Sequence, residues 1–318
     1  MIWNDLSEII RGNTAFLISS HLSLDGDCVG SQLAFYWYLT SLGKTVYLYN
    51  HDAVPAKFTF LKNQEKICAT FPGKPVDVLM VLDCSNLKRL GWDQQKLSGT
   101  PVIINIDHHR DNTHFGKLNY IDTTAAATAE LICRFFSTLS IDIPDFVAES
   151  LYTAILTDTG GFRFSNTTSR ILRTCADLVD RGANCAQIYE RVYASHPQRA
   201  LLLQSRIWST LQFHCDGKVC SMEMPMSILD RIGAVYSDSE GMADYTITAE
   251  GVEVGIMTKH TATESHFSLR SKGSIDVGRI AQKIPGGGGH SSAAGCTLYM
   301  PYDQAFPHML AIIEKELH

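Results

Sequence analysis

The chain has 318 residues, of which 45% are hydrophobic and 19% charged, with a formal charge of −6. This balance excludes a disordered, collagenous or coiled-coil chain, and a chain of this length buries well over half of its unfolded surface in one or two domains. The charge argues against a broad basic face that wraps duplex nucleic acid, but leaves room for a short anionic ligand held by a few local cations or metal ions.

The first half alternates short apolar runs with helical patterns. Residues 15–20, 45–49, 76–82 and 102–106 read as buried strands. Residues 30–42 read as a helix that stops at Gly43. Strands separated by helix-length connections imply a parallel sheet with helices on both faces. Helices are expected over 124–137, 145–157 and 169–180, with a fourth opening at Pro197 and running toward Leu211. After His214-Cys-Asp-Gly the pattern changes, with strands at 219–224, 252–258 and 266–271, a short helix at 276–283 and another helix near the end. The expected domains are 1–190, a helical linker at 191–212 and a smaller α/β domain at 213–318. No apolar run approaches the ~20 residues that cross a bilayer. The N-terminus lacks the basic and apolar regions of a signal peptide, and the nine Cys are scattered without a C-x-x-C pair. A cytoplasmic protein with no membrane partner is therefore expected.

Four segments set acids or histidines just after an apolar run or at a helix end: His21 with Asp25-Gly26-Asp27, then Asp83, then Asp107-His108-His109, then Asp158. Strand ends of a parallel sheet line up along one rim, so these groups are expected to meet. Taken singly, Asp83 reads as a cap or turn residue and Asp25-Gly-Asp27 as a turn. Together, so many carboxylates repel one another and their pKa values rise, a conflict that divalent cations remove. Mixed carboxylate and imidazole donors without a thiol pattern favour Mn²⁺ or a similar ion. A shared carboxylate can bridge two such ions, which activate water for attack on phosphorus. His51, His114, His196, His214, His260 and His308 read as ordinary polar residues.

In combination, the four segments resemble the signature motifs of the DHH phosphoesterases, the group that includes RecJ-like nucleases and family II inorganic pyrophosphatases. The resemblance spans residues 15–165. Asp107-His108-His109 is the triplet that names the group, and Leu24 stands where many nuclease-like members have Pro. The resemblance implies that His21, Asp25 and Asp83 hold one metal ion, and that Asp27, Asp83, His108 and Asp158 hold a second, with Asp83 bridging. It places His109 beside the phosphate, to polarise it or protonate the leaving group, and makes Asp107 the residue that orients the histidine pair. Arg163, in Gly161-Phe-Arg-Phe, follows the fourth motif as in the phosphodiesterase-like branch and is expected to touch substrate; a surface ion pair is the alternative.

In the second half, Gly286, Gly287, Gly288 and Gly289 run into His290. Their bare backbone N–H groups, joined by the N-terminus of a helix expected to begin near His290, would cradle a phosphate. Upstream, Arg270-Ser271-Lys272 offers a donor fork and a point charge, or else a solvated strand end. This half resembles the DHH-associated substrate-binding domain, which implies that Arg270, Ser271, Lys272 and His290 hold nucleotide phosphate or sugar.

The expected fold is α/β, a parallel-sheet catalytic domain and a smaller substrate-binding domain with a cleft between them. The expected activity is two-metal hydrolysis of di- to tetranucleotides of RNA or DNA, linear dinucleotides included, to mononucleotides, with removal of phosphate from pAp in the same site. Two Mn²⁺ ions are expected, with Mg²⁺ or Co²⁺ as substitutes, and a homodimer is expected by family likeness. The alternatives are an inorganic pyrophosphatase or exopolyphosphatase with the same centre, for which more Lys and Arg would crowd the second domain, and a non-catalytic nucleotide sensor.

Overall fold

The computed structural model describes residues 2–97, 99 and 101–317, which divide into two units, 1–195 and 196–318. In the first, the apolar runs pair as inner strands because both of their faces are covered. Strands β1 (Ala15–Ser19), β2 (Thr45–Tyr49), β3 (Ile67–Cys68), β4 (Val78–Leu82), β5 (Val102–Asp107) and β6 (Leu118–Ile121) form one sheet in the order β3-β2-β1-β4-β5-β6. Every pair is parallel. The chain runs outward from β1 to β3, returns to β4 and then runs the other way. The reversal falls between β1 and β4, the kind of point at which diverging loops leave a crevice at the C-terminal strand ends of an open sheet.

The helices of this unit are α1 (Ile2–Gly12), α2 (Gly26–Ser41), α3 (Thr128–Thr138), α4 (Asp145–Asp158), α5 (Ser169–Asp180) and α6 (Cys185–Tyr189), the last continuing as a π turn over Glu190–Ala194. Along β4, Val78, Met80 and Leu82 face these helices and meet Phe16, Ile18, Phe35, Phe135 and Ile155. Leu79 and Val81 face the other way, against Leu17, Leu90 and Trp92, where the covering layer includes two short 3-10 helices, Leu87–Leu90 and Gln94–Lys96. Each such side chain, fully buried, contributes about 1.5–3 kcal/mol.

Helix α2 begins four residues earlier than its apolar pattern suggests. Asp25 caps it, with Oδ1 accepting from the Cys28 N–H at 2.9 Å, so Asp27 sits in the first helical turn. Gly26 and Gly30 lie one turn apart on α2. A Cβ at Gly30 would fall 2.2 Å from the Ser150 carbonyl oxygen, and one at Gly26 2.2 Å from Thr157 Oγ1. Glycine at both positions lets α2 close on α4, which brings Asp27 toward Asp158.

The second unit comprises α7 (Gln198–Trp208), β7 (Gln212–His214), β8 (Val219–Pro225), α8 (Ile228–Ile232), α9 (Met242–Tyr245), β9 (Val254–His260), β10 (Ser265–Ser271), α10 (Val277–Gln282), β11 (Gly288–Gly289), β12 (Ala293–Leu298) and α11 (Tyr302–Glu314). Its sheet runs β11-β12-β10-β9-β8-β7. The β8–β9 pair is parallel and the others antiparallel. Helix α7 lies within the stretch expected as a linker, and it packs Leu203 and Ile207 against Met222, Met224 and Met257 of this sheet.

The helix expected at His290 is not formed. Residues 293–298 pair with β10, from Arg270↔Ala293 to Ser265↔Leu298, and a turn closes between His290 and Ala293. Cross-strand pairing overrides the helix propensity of Ala-Ala here. The last two glycines of the run, Gly288–Gly289, form a short edge strand, and Gly289 has φ +145° with its would-be Cβ 2.5 Å from Ala294 Cα. Among the described residues, no helix is long and apolar enough to cross a membrane.

Gly30→Ala drives a methyl group into the Ser150 carbonyl. It is expected to destabilise the protein by about 1–3 kcal/mol, as overpacking does, seen as a lowered urea midpoint. An unchanged midpoint would contradict the close-approach role.

Candidate metal centre

The rim at the strand reversal collects side chains from five places. His21 lies just past β1, Asp83 just past β4, and Asp107, His108 and His109 end and follow β5. Asp25 and Asp27 open α2, and Asp158 closes α4. Asp83 is a non-glycine residue at φ +54°, with its N–H donating to the Ile106 carbonyl at 3.0 Å. A left-handed conformation of this kind costs about 1–3 kcal/mol and persists where surrounding structure fixes it.

Asp83 is buried and divides its two oxygens. Oδ2 lies 3.5 Å from His21 Nε2, while Oδ1 lies 3.5 Å from His108 Nε2 and 3.6 Å from His109 Nδ1. His108 Nε2 also faces Asp158 Oδ2 at 3.4 Å and Asp27 Oδ2 at 3.9 Å. Both imidazoles are turned by their other nitrogen. His21 Nδ1 meets the Leu22 carbonyl at 2.5 Å and His108 Nδ1 the Ala125 carbonyl at 3.4 Å. A carbonyl only accepts, so Nδ1 carries a hydrogen and Nε2 is presented to the acids.

Asp27 is held from the other side. Its oxygens accept from the Thr128 and Ala129 N–H groups at 2.6 and 2.9 Å, at the N-terminus of α3, and from Ser31 Oγ at 3.1 Å. Asp107 is fully buried and turned inward. Its Oδ1 accepts from the His108 N–H at 2.8 Å and from His109 Nδ1 at 2.7 Å, and its Oδ2 from Asn112 Nδ2 at 2.6 Å. Thr128, Asn112, Ser31 and Cys28 are therefore parts of the site that the motifs did not single out. Ser31 stands one helical turn from Asp27 and was legible from spacing. Thr128 is brought in only by the tertiary fold. The Cys28 thiol, pushed up by burial, remains a donor to Asp83 Oδ2 at 3.4 Å.

The electrostatics record the crowding. Burial pushes the Asp158 carboxyl up to about 7, and Asp83 and Asp25 add to the rise against the opposing pull of His108. Burial, with Asp83 and Asp158 nearby, likewise raises Asp27, although its two amide donors pull the other way. Burial alone would lower the histidines. Their hydrogen bonds to carboxylates overcome it and raise His21 to about 10 and His108 to about 11. Burial also works to raise Asp83, but His108 and His21 hold it well below the usual carboxylate range.

Among the described residues, three groups place ligand atoms within 4.8 Å of one another: His21, Asp25, Cys28 and Asp83; Asp83, His108 and His109; and Asp27, His108 and Asp158. Carboxylate oxygens and imidazole nitrogens dominate this donor set, with one protonated thiol. That chemistry fits Mn²⁺-like ions better than a thiolate zinc site.

The remaining candidates lie elsewhere. Arg163 is exposed; its Nε donates to the Gly160 carbonyl at 2.7 Å, and among the described residues no carboxylate pairs with it. In the second unit, the end of β10 lies beside the 290–293 turn. Ser271 Oγ donates to the Ser291 carbonyl at 3.0 Å, which leaves it only acceptor capacity toward a ligand. Arg270 Nε is engaged by Asp244 at 2.6 Å. Lys272, His290 and Gly289 are exposed, and Gly287 and Gly288 partly so.

The sequence matches the model of the DHH family, N-terminal domain, over residues 15–155, and that of the DHHA1 domain over residues 224–318. It is 33% identical to the bifunctional oligoribonuclease and PAP phosphatase NrnA of Thermus thermophilus, over 94% of this chain and 89% of that protein. The structure is similar to that of an exopolyphosphatase-related protein from Bacteroides fragilis, with a TM-score of 0.92 at 25% identity over 99% of this chain and 96% of the other. The crystal structure of exonuclease RecJ bound to manganese shares the fold, with a TM-score of 0.51 at 13% identity over 99% of this chain and 92% of that one.

At neutral pH the raised histidines hold a second ring proton and Asp158, raised to about 7, is about half protonated, so a metal ion bound through these residues would displace protons. Mn²⁺ binding is therefore expected to release protons and to tighten as pH rises from 6 to 8. Calorimetric titration in two buffers of different ionisation enthalpy measures the release. Binding with no proton release and a flat pH dependence would contradict these assignments.

Proposed function

The chain belongs to the DHH family, and from that membership we propose that it is a Mn²⁺-dependent phosphoesterase that hydrolyses very short oligonucleotides, such as a 5′-phosphorylated dinucleotide, to mononucleotides and removes phosphate from pAp. The observation that carries the reading is the divided carboxylate of Asp83 at the strand reversal, one oxygen toward His21 and the other toward His108. The relative from Thermus thermophilus, named for these two activities, supports the substrate class.

In this reading His21, Asp25 and Asp83 hold one ion, and Asp27, Asp83, His108 and Asp158 hold the other. A bound pair of such ions activates water and neutralises charge developing on the phosphoryl oxygens. The protein's own part is to place donors and carry protons. Asp107 fixes the His109 ring through Nδ1, leaving Nε2 to polarise the phosphate or deliver a proton to the leaving oxygen. With no nucleophilic Ser or Cys required, the buried, protonated thiol of Cys28 has no covalent role. Arg163 supplies a guanidinium that, among the described residues, has no carboxylate partner. Arg270, Ser271, Lys272, His290 and the backbone of Gly287, Gly288 and Gly289 hold the nucleotide's phosphate or sugar, a task that asks for few cations because the ligand is short.

With Mn²⁺ present, a dinucleotide and pAp are expected to turn over faster than pyrophosphate, and a longer single strand more slowly than the dinucleotide. Product chromatography distinguishes the outcomes. Preferential release of phosphate from pyrophosphate or polyphosphate would overturn the reading in favour of the alternative enzyme, and tight nucleotide binding without turnover would favour a sensor. Asp83→Ala is expected to abolish turnover of every substrate while circular dichroism reports a folded protein. Arg270→Ala is expected to raise KM about 10–100-fold, the worth of a charge-assisted hydrogen bond, with the Mn²⁺ concentration for half-activation unchanged. An unchanged KM would remove Arg270 from the substrate site.

A further inference from the structure

Glu130, the third residue of α3, is fully buried and carries three donors. Its Oε1 accepts from Arg134 Nη2 and Arg170 Nε, both at 2.5 Å, and its Oε2 accepts from the Ala126 N–H at 2.7 Å. The two arginines reach further. Arg134 Nη1 donates to Asp122 Oδ2 at 2.6 Å, and Arg170 Nη2 donates to the Thr124 carbonyl at 2.8 Å. Asp122 Oδ1 in turn accepts from the Thr124 N–H and hydroxyl at 2.9 and 2.6 Å. The segment from β6 into α3 is thus tied at Asp122, Thr124 and Ala126, all to one carboxylate and its two cations.

That same segment delivers four contacts to the metal centre. The Ala125 carbonyl faces His108 Nδ1 at 3.4 Å. The Thr128 and Ala129 N–H groups hold Asp27, and Thr128 Oγ1 donates to Asp83 Oδ1 at 3.2 Å. Glu130 touches none of the candidate ligands, yet it sets the backbone that grips one, steadies a second and turns a third. Burying the Glu130 carboxylate carries a desolvation penalty that its pairing with two part-exposed arginines only offsets, so stability alone is a weak reason for it.

We infer that Glu130, bridged by Arg134 and Arg170, is a positioning residue of the metal centre, fixing the 122–129 segment so that Asp27 and His108 present ligand atoms in register with Asp83. The inference rests on the reading of those three residues as metal ligands.

The test measures Mn²⁺ binding to the full chain by calorimetry, with the urea midpoint of the metal-free protein alongside, for wild type, Glu130→Gln and Arg170→Met. Glu130→Gln keeps the shape and removes the charge. Arg170→Met alters a half-exposed side chain, leaves the Glu130–Arg134 pair intact and keeps the inference testable if Glu130→Gln does not fold. The expected result is a Mn²⁺ affinity weakened about 10–100-fold in each folded variant, the usual loss for an outer partner of a ligand, with a midpoint for Arg170→Met close to wild type. Wild-type affinity in a folded variant would overturn the positioning role while leaving the metal centre in place. Wild-type protein that binds no Mn²⁺ would overturn both.

Discussion

Five carboxylates, Asp25, Asp27, Asp83, Asp107 and Asp158, gather at the rim of one sheet, and like charges so close are the constraint the rest of the first unit answers. Asp25 with Asp83, and Asp27 with Asp158, place ligand oxygens within 4.8 Å of each other, and two like charges about 4 Å apart at an effective dielectric near 20 cost roughly 4 kcal/mol. The metal-free protein relieves this with protons, holding His21 and His108 charged and raising Asp158 and Asp27. Bound cations would do the same, each taking the place of the proton on Nε2 of His21 or His108. If the proposed ligands hold metal, pH and metal concentration would together set which of the two neutralises the cluster.

Holding the acids so close requires a scaffold that cannot relax away. The strand order provides the first part, since β1 and β4 are neighbours whose following loops part company at the reversal. Glycines 26 and 30 provide the second, allowing α2 to lie against α4, Gly26 meeting the Thr157 side chain and Gly30 the Ser150 backbone carbonyl. The third is a layer of fixed hydrogen-bond partners: amides of α3 that donate to Asp27, backbone carbonyls that accept from the outer nitrogens of His21 and His108, and the Asp107 carboxylate that accepts from His109. Each removes a rotation that would let a ligand drift from its neighbours.

Much of this was legible in the chain. The run Val78–Leu82 is apolar at every position, which marks a strand covered on both faces, and an acid directly after it belongs at a strand end. Thr168 before Ser169–Asp180 and Gly182 after it bracket a helix by its caps. Other parts carry weaker local signals. Ile67–Cys68 and Leu118–Ile121 are short edge strands whose pairing depends on neighbours already in place. Asp25-Gly-Asp27 looks like a turn because capping and turn residues are the same residue types, and helix α2 actually begins there. Residues 293–298 read as helix from Ala-Ala, but β10 supplies a partner that local sequence does not reveal. Asn112 and Thr128 enter the centre through contacts across the fold, and no spacing within a motif announces them.

The central claim is that these scattered acids and imidazoles grip two cations with Asp83 between them. Anomalous diffraction at the manganese edge, from crystals of the full chain grown with Mn²⁺, tests it directly. Two peaks are predicted, one bounded by His21, Asp25 and Asp83 and the other by Asp27, Asp83, His108 and Asp158. A single peak away from Asp83, or none at saturating metal, would contradict it.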